Sequence, residues 1–445
     1  MAITQAQFDV LVQALSQMRR LDAPADSMLK QFFRDRKALG PRDRAMVSES
    51  VYAGLRRSRA LAEMVPGNEP RRLALAILLQ LRGFSIRELE VLCRGSEAEW
   101  LHSLKEHAAE NKQDGLGFQA ELPDWVVERL RPHYADEEIL ELGRVLQQAA
   151  PLDLRVNTLK AKPDEVIEQL QAAGVAVEHM PYAPQGLRIK GKPALQSLPV
   201  FRDGLIEIQD EGSQLLGYLV SPKRGEMIVD FCAGAGGKTL LLGALMQNEG
   251  RLYAFDVSER RLANLKPRLK RSGLSNINPV LIDSERDQRV KRLAGKIDRV
   301  LVDAPCSGLG TLRRNPDLKQ RQGESGIDEL MAKQDSILDA AAGLLKPGGL
   351  LVYATCSVLF EENEARAEAF SLSHPDFEVV ECGELLKQAR IPLEMGRYLR
   401  LMPHHHHTDG FFAAAWRRKA AHASAEAKPK VKTKKIQVEG EGNDE

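Results

Sequence analysis

Apolar residues recur at helical spacing through the first 145 positions of the chain, and no stretch there alternates like a strand. The clearest apolar runs lie at residues 11–18, 46–55, 73–81 and 126–130. Helix ends are predicted at the residues that break this pattern, which are Pro24, Gly40, Pro41, Pro66, Gly67 and Pro123, and in a polar loop at 111–117. The pattern therefore predicts an all-helical domain over residues 1–145.

From residue 152 the pattern changes to short strands around one helix. Residues 152–159 have the composition of a strand, 164–173 that of a helix, and 175–180 and 187–190 those of two further strands. These elements predict a small α+β module, RRM-like in kind, over residues 150–208.

From residue 226 short apolar strands alternate with helical stretches. The strands are predicted at 227–231, 252–257, 278–283, 299–305 and 350–357, with a last one at 411–416. Strands that are apolar throughout and alternate with helices predict a parallel sheet covered on both faces. The fold class is therefore α/β, a Rossmann-like, doubly wound domain over residues 209–418. The remaining residues, 419–445, have almost no core-forming side chains and are predicted to be a disordered, solvated tail.

Composition narrows the class of protein without identifying it. The chain has 445 residues, 43% hydrophobic and 28% charged, as soluble globular proteins have. Its 63 basic and 62 acidic residues neither indicate nor exclude a nucleic-acid partner. The N-terminus does not resemble a secretory signal, and the longest apolar run, 73–79, is too short to span a membrane. Five cysteines without a CxxC pair predict a cytoplasmic protein with reduced thiols and no metal site.

A glycine-rich loop at residues 230–239 follows the first strand of the α/β domain. A Walker A loop would need glycine where Cys232 stands. A dinucleotide fingerprint would need GxGxxG, whereas Gly237 is followed by Lys238 and Thr239. The loop therefore matches neither phosphate-binding motif, but its glycines still allow a ligand to approach the backbone closely.

Aspartates stand at the ends of the next three strands. Asp256 is placed to bind the hydroxyl groups of a ribose, Asp283 to face an adenine, and Asp303 ends the fourth strand. Each of them alone could be a helix N-cap. Because the carboxyl ends of parallel strands meet in one crevice, the set predicts a nucleoside cofactor without a pyrophosphate, such as S-adenosylmethionine.

Two cysteines, Cys306 and Cys356, follow neighbouring strands at the same edge. A lone cysteine there is usually a small buried hydrophobic residue. Two thiols beside a methyl donor allow another reaction, in which a thiolate adds to carbon 6 of cytosine and makes carbon 5 nucleophilic. Asp303 could stabilise the electron-deficient ring by a hydrogen bond.

Several segments strongly resemble the RsmB/Sun family of RNA cytosine-5 methyltransferases. They are DFCAGAGGKT, DAPCSGLGTLRRNPDLK, YATCSVLFEENE, LRVNTLK, IQDEGSQL and TDGFFAA. The N-terminal segment LGPRDRAMVSESVYAGLRR is similar to the NusB-like RNA-binding domain of the bacterial ribosomal members. The resemblance covers roughly residues 30–416 and implies a methyltransferase acting on RNA, most often small-subunit (16S) ribosomal RNA, with no obligate protein partner and no membrane contact.

The resemblance also implies roles for individual residues. Cys356 would be the nucleophile and Cys306 the cysteine that assists product release, with Lys238 and Asp303 near the target base. The implied cofactor contacts are Cys232, Ala233, Gly234, Ala235, Gly236, Gly237, Lys238, Asp256, Asp283 and Asp303. The chain departs from the family at Gly234 and Ala235, where CAAPGGKT is usual, so the loop lacks the rigidity of a proline.

Three further features have a functional and a plain interpretation. Arg313, Arg314 and residues 319–321 are candidates for RNA phosphate contacts, or a charged loop. The four histidines at 404–407 suggest a metal site, but a solvent-exposed loop is the preferred interpretation. The lysines of the tail could contact RNA or only solubilise it.

Two other functions stay open at this point. A methyltransferase that acts on an amine would need no cysteine pair. A non-catalytic RNA-binding protein with the same fold would need neither the cysteines nor Asp303.

Overall fold

The computed structural model describes residues 3–107 and 115–420. Most of the loop predicted at 111–117, and the predicted disordered tail from residue 421 onward with its lysines, lie outside these ranges. Across the described ranges, no helix combines the length and the apolar composition that a membrane span requires.

The helices of residues 3–107 enclose one hydrophobic core, with Phe8, Leu11 and Leu75 fully buried. Thr4 caps the first helix through a capping box, and Pro41 begins the third. Gly67 has a φ of +77° in a short 3₁₀ turn (Pro66–Asn68), a left-handed conformation that favours glycine. The helices are α1 (Gln5–Met18), α2 (Ala25–Arg34), α3 (Pro41–Arg56), α4 (Ser58–Met64), α5 (Pro70–Ala76), α6 (Ile86–Glu90) and α7 (Glu97–His107), and a π-helical turn (Ile77–Leu81) continues α5.

Three further helices belong to a different core: α8 (Leu116–Ala120), α9 (Asp124–Leu130) and α10 (Asp136–Leu146). Val126 and Leu142 pack with Leu309, Leu359 and Met402, which come from the α/β domain. The sequence predicted one helical domain ending at 145, but the buried clusters divide between residues 104 and 116. Helical periodicity identifies a helix and its apolar face, but not the surface that the face covers.

The small module has a four-stranded antiparallel sheet in the order β2-β3-β1-β4. Its helix α11 covers the sheet with Val166 and Leu170, against Leu154 and Leu187. The structure contains the three predicted strands and adds a fourth. The elements are β1 (Leu152–Val156), α11 (Pro163–Ala172), β2 (Val177–His179), β3 (Gly186–Ile189), α12 (Pro199–Arg202) and β4 (Ile206–Ile208).

The remainder forms a mixed sheet in the order β10-β12-β9-β8-β5-β6-β7, with β11 paired to β12. Strands β5 to β9 pair with one another in parallel, and β12 is antiparallel to its neighbours β9, β10 and β11. The elements are α13 (Glu211–Leu219), β5 (Met227–Asp230), α14 (Gly237–Leu245), β6 (Arg251–Asp256), α15 (Glu259–Ser272), β7 (Ile277–Leu281), α16 (Gln288–Lys291), β8 (Ile297–Asp303), α17 (Leu318–Arg321), α18 (Ser325–Leu344), β9 (Leu345–Thr355), α19 (Glu364–Ser373), β10 (Phe377–Val380), α20 (Cys382–Gln388), β11 (Leu399–Leu401), α21 (Pro403–His406) and β12 (Phe411–Arg418).

Both faces of this sheet are covered, as predicted. Side chains alternate along each strand, so Ile228 and Leu301 join one apolar cluster while Val229, Val300 and Tyr353 join the other. The predicted α/β fold class is confirmed. The sequence pattern missed β10 and β11, which have three or four residues each.

The arginines proposed to contact RNA phosphates form ion pairs with aspartates of the protein instead. Arg313 Nη2 lies 3.1 Å from Asp409 Oδ1, and Arg313 is buried. Arg314 Nε lies 2.5 Å from Asp409 Oδ2, and its Nη2 lies 3.0 Å from Asp210 Oδ2. These paired guanidinium groups fix the loop after β8 to the start of β12, so the phosphate interpretation of both arginines is wrong for this structure.

Lys319 and Arg321 are also in internal contacts. Lys319 Nζ donates hydrogen bonds to the carbonyl oxygens of Arg56, at 2.8 Å, and Glu121, at 3.0 Å. Burial lowers the pKa of Lys319 to about 8. Arg321 pairs with Asp317 at 3.2 Å. The two Lys319 hydrogen bonds join the α/β domain to both helical regions.

The histidine run is not the exposed loop that was expected. Pro403 begins a single helical turn, and His407, with a φ of +58°, ends it. The side chain of His404 is fully buried, whereas about half of the His405 side chain is exposed.

Candidate active site

A cavity of about 540 Å³ opens at the carboxyl ends of β5, β6, β8 and β9. It brings together most of the residues that the sequence predicted for the site. Those that line it are Cys232, Ala233, Gly234, Ala235, Gly237, Lys238, Asp256, Asp303, Cys306 and Cys356. The crevice expected at the strand ends is therefore present.

Gly236 and Asp283 are not among the described residues that line this cavity. Gly236 has a φ of +83°, and a Cβ there would come within 2.2 Å of Leu265 Cδ1, so its role is close packing of the loop. Strand β7 ends at Leu281, so that Ile282 lines the cavity while the next residue, Asp283, is exposed. Ile282 before it and Glu285 after it both line the cavity, so the predicted contact of Asp283 with an adenine stays a prediction.

Asp256 holds the glycine-rich loop against the neighbouring strand. Its Oδ2 accepts a hydrogen bond from the backbone N–H of Gly234 at 2.8 Å, and its Oδ1 accepts one from Ser258 N–H at 2.7 Å. Ser258, rather than Asp256, caps helix α15. The aspartate is therefore fixed by the backbone and directed at the cavity.

Asp230 lies beneath the loop, at the end of β5. Its Oδ2 accepts a hydrogen bond from the Thr239 hydroxyl at 2.6 Å. Burial raises the pKa of Asp230 to about 7. This carboxyl group thus ties the start of the loop to helix α14.

Lys238 and Asp303 form an ion pair in the cavity. Lys238 Nζ lies 2.6 Å from Asp303 Oδ2. Burial acts to lower the pKa of Lys238, but the charge and hydrogen bond of Asp303 outweigh it and raise the pKa. The lysine is therefore a fixed cation, and the second oxygen of Asp303 stays available for hydrogen bonding in the cavity.

Cys306 and Cys356 meet at the mouth of the cavity, with their sulfur atoms 3.5 Å apart. The hydrogen bond to the Cys356 sulfur and burial both raise the pKa of the Cys306 thiol well above its usual value. Cys306 therefore keeps its proton and can donate it in a hydrogen bond to Cys356. Cys232, a third thiol in the cavity, also has a raised pKa because it is buried.

A buried carboxylate, Glu362, joins the two cysteine loops from behind. It accepts hydrogen bonds from the backbone N–H of Ser307 at 2.8 Å and from the Ser307 hydroxyl at 2.5 Å. It also accepts one from the Ser357 hydroxyl, and one from Gln334 Nε2 at 3.1 Å. Since each serine directly follows one of the cysteines, Glu362 sets the spacing of the thiols. The sequence reasoning did not identify this residue.

Other residues of the cavity wall were also not predicted. Val257, Ile282 and Ile337 form an apolar part of the lining. Arg268 donates a hydrogen bond to the carbonyl oxygen of Ala235 at 2.6 Å, which supports the loop where the family's usual proline is replaced. An apolar residue next to a strand-end aspartate is the signal that could have located Val257.

The lining residues fit S-adenosylmethionine. Asp256 offers a carboxylate to ribose hydroxyl groups, and the apolar side chains offer a surface to an adenine ring. Asp303 offers a negative charge to a positively charged ligand group beside the thiols. When bound, this cofactor would supply an electrophilic methyl group.

Comparison with known proteins identifies the family of this chain. The family model for 16S rRNA methyltransferase RsmB/F matches residues 217–417, and the model for the RsmF/B-like ferredoxin-like domain matches 122–196. A probable ribosomal RNA small subunit methyltransferase B from Synechocystis is 34% identical over 409 residues, which are 84% of this chain and 91% of the relative.

Two solved structures share the fold. That of PH0851 has a TM-score of 0.77 at 28% identity and covers 94% of this chain and all of its own. That of NSun6 from Pyrococcus horikoshii with SFG, an S-adenosylmethionine analogue, has a TM-score of 0.58 at 23% identity and covers 65% and 97%. The cofactor of this chain is S-adenosylmethionine, and the chain belongs to the RsmB/F family of methyltransferases.

Proposed function

We propose that this protein transfers a methyl group from S-adenosylmethionine to carbon 5 of a cytosine in small-subunit ribosomal RNA. The reaction passes through a covalent bond between Cys356 and carbon 6 of the base. The observation that carries the proposal is the 3.5 Å separation of the Cys306 and Cys356 sulfur atoms in the cavity that also holds Lys238 and Asp303. The names of the relatives support ribosomal RNA as the substrate.

The proposed steps use the two thiols in turn. The Cys356 thiolate adds to carbon 6, and the electron pair of the ring double bond moves to carbon 5. Carbon 5 then bonds to the methyl carbon as the methyl–sulfonium bond breaks, with S-adenosylhomocysteine as the leaving group. A base removes the proton from carbon 5, the double bond re-forms, and the Cys356 thiolate leaves. Cys306, close to the carbon–sulfur bond, assists this release.

Two contacts and the position of Asp303 support the assignment of roles. Cys306 keeps its proton and can stabilise a thiolate on Cys356 by a hydrogen bond. Asp303 can accept a hydrogen bond from the amino group or a protonated ring nitrogen of cytosine, which favours thiolate attack. Lys238 holds Asp303 in place.

Trapping of protein–RNA adducts tests the mechanism. Cys356→Ser should abolish turnover and form no adduct, because a hydroxyl is a far poorer nucleophile than a thiolate. Cys306→Ser should complete attack and methyl transfer, and then accumulate an adduct that survives denaturing electrophoresis. Cys93→Ser, in the helical domain, serves as the control and should behave as wild type. An adduct with Cys356→Ser would invert the roles, and full activity in both variants would exclude the covalent route.

The position of the methyl group separates this proposal from an amine methyltransferase. Bisulfite sequencing of RNA from cells with and without the gene should show one protected cytosine that depends on the gene. An intact, unmodified cytosine pattern together with methyl transfer to RNA would assign another acceptor atom. A protein that binds RNA without any methyl transfer would be a scaffold.

We assign RNA binding in the cytoplasm to the N-terminal helices, residues 3–107. Because α8 to α10 share a core with the methyltransferase domain, the truncated chain should begin at Gly115 rather than near residue 150. It should keep its affinity for S-adenosylmethionine and bind RNA more weakly than the full chain at matched salt, since phosphate contacts are screened by salt. Equal RNA affinity of the two chains would contradict this role.

A further inference from the structure

A cluster of two imidazoles and a carboxylate lies away from the active site, between the helical region and the methyltransferase sheet. Glu138 is in the first turn of α10, and His404 and His405 are in α21. His404 Nε2 lies 3.4 Å and His405 Nε2 lies 3.3 Å from the same oxygen, Glu138 Oε1. One possible ligand atom from each residue falls within 4.8 Å of the other two.

These distances suit a bound ion better than hydrogen bonds. An N–H···O hydrogen bond is typically about 2.9–3.0 Å long. Ligand atoms about 2.0–2.1 Å from a tetrahedral metal ion lie roughly 3.3–3.4 Å from one another. Both separations from Glu138 Oε1 match that edge length.

The burial of His404 also favours a bound ion at this cluster. Its side chain is fully buried, and Nδ1 has no hydrogen-bond partner among the described residues. The polar contact of this ring is therefore made through Nε2, the atom that faces Glu138.

We propose that His404 Nε2, His405 Nε2 and a Glu138 oxygen bind one divalent transition-metal ion of the Zn²⁺ type. Two imidazoles and one carboxylate are a donor set that Zn²⁺ accepts. Glu138 and His405 are partly exposed, which leaves a fourth position open to water. The ion joins α10 to the turn before β12, so the site is a structural link that is independent of methyl transfer.

Calorimetric titration of the full chain with Zn²⁺ tests the site. Wild type should bind one ion, and Zn²⁺ should raise the temperature of unfolding, because an ion that binds the folded state stabilises it. Glu138→Gln and His405→Ala should each weaken Zn²⁺ binding by at least about tenfold, since loss of even an outer-shell partner costs about 10–100-fold.

His407→Asn is the matched control, because it removes an exposed imidazole of the same run and asparagine tolerates the left-handed conformation. It should bind Zn²⁺ as wild type does. If His407→Asn weakens binding as much as His405→Ala while Glu138→Gln does not, the histidine run binds the ion without the carboxylate and the proposal is wrong. Absence of Zn²⁺ binding by wild type would likewise overturn it, leaving two long hydrogen bonds to Glu138.

Discussion

The two sides of the cavity hold their functional groups by different means. On the β5 and β6 side, Asp256 is fixed by backbone N–H groups, one of them only two residues away, and the loop carries its own glycines. On the β8 and β9 side, Cys306 and Cys356 come from loops 50 residues apart, and Glu362 connects those loops. The cofactor side is thus built from two consecutive strand–turn–helix units, 22 residues apart at their contact, whereas the thiol side exists only when more distant segments have come together.

The largest effect is expected where the two sides meet, at the ion pair of Asp303 and Lys238. Asp303→Asn should lower turnover by about 10²–10³-fold, the usual loss when one group that stabilises a transition state is removed. The variant keeps the shape of the side chain, and a thermal melt checks its folding. Turnover within a few fold of wild type would remove Asp303 from the mechanism.

The next largest effect is expected in the free energy of unfolding, at Asp230 on the cofactor side of the cavity. The pKa of Asp230 is about 7 in the folded protein and 3.8 in the unfolded reference, so the folded state binds the proton more tightly. This contribution to stability is fully present below about pH 4 and is lost as the pH rises through about 7. Asp230→Asn, which is neutral at every pH, should therefore be more stable than wild type at pH 8, by on the order of 2–4 kcal/mol.

Denaturant unfolding at pH 5 and pH 8, without cofactor, measures this difference. The advantage of Asp230→Asn should be smaller at pH 5, where the wild-type carboxyl group is mostly protonated. An equal advantage at both pH values, or a loss of stability at pH 8, would show that the pKa of Asp230 is not raised in the folded protein.

A smaller and more local effect is expected on the thiol side. In wild type both carboxylate oxygens of Glu362 accept hydrogen bonds from hydroxyl and N–H donors. In Glu362→Gln one of these oxygens is replaced by an N–H donor, and the lost hydrogen bonds should lower the free energy of unfolding by about 1–3 kcal/mol. The loosened loops should lower kcat by roughly tenfold, the equivalent of about 1.4 kcal/mol, without changing KM for S-adenosylmethionine. The rate of oxidative cross-linking of Cys306 to Cys356 reports their spacing directly and should also change.

Glu361→Gln is the control for this experiment. Glu361 adjoins Glu362 in the chain, but its partner is Arg129, in α9. It should leave kcat and the cross-linking rate unchanged. If the two variants behave alike, Glu362 has no special part in positioning the thiols.

The smallest effect is expected in the affinity for S-adenosylmethionine, on the cofactor side of the cavity. Asp256→Ala should lose about 1–3 kcal/mol of affinity for S-adenosylmethionine, the range for a lost polar contact. Asp283→Ala tests the predicted adenine contact in the same way, and a loss of affinity would add this exposed strand-end residue to the cofactor site. Wild-type affinity of a folded Asp256→Ala variant in calorimetry would reject the ribose contact.

The local sequence pattern predicted the fold and the cofactor side of the cavity more completely than the thiol side. Strands, the glycine-rich loop and both cysteines follow from short segments, because strand ends in a parallel sheet converge whatever the details. Glu362 and Glu361 are neighbours in the same segment, and nothing in their spacing tells that one is buried and the other contacts Arg129.

The core shared by α8 to α10 and the methyltransferase domain also has a consequence for synthesis of the chain. Tyr134 and Met402 are in contact although 268 residues separate them. While the ribosome makes the chain, helices α1 to α7 can close their own core early. The apolar faces of α9 and α10 stay exposed to solvent until their partners, which include Leu359 and Met402, have been synthesised. This segment is therefore expected to become protected against proteases only late in synthesis, after Met402 has emerged.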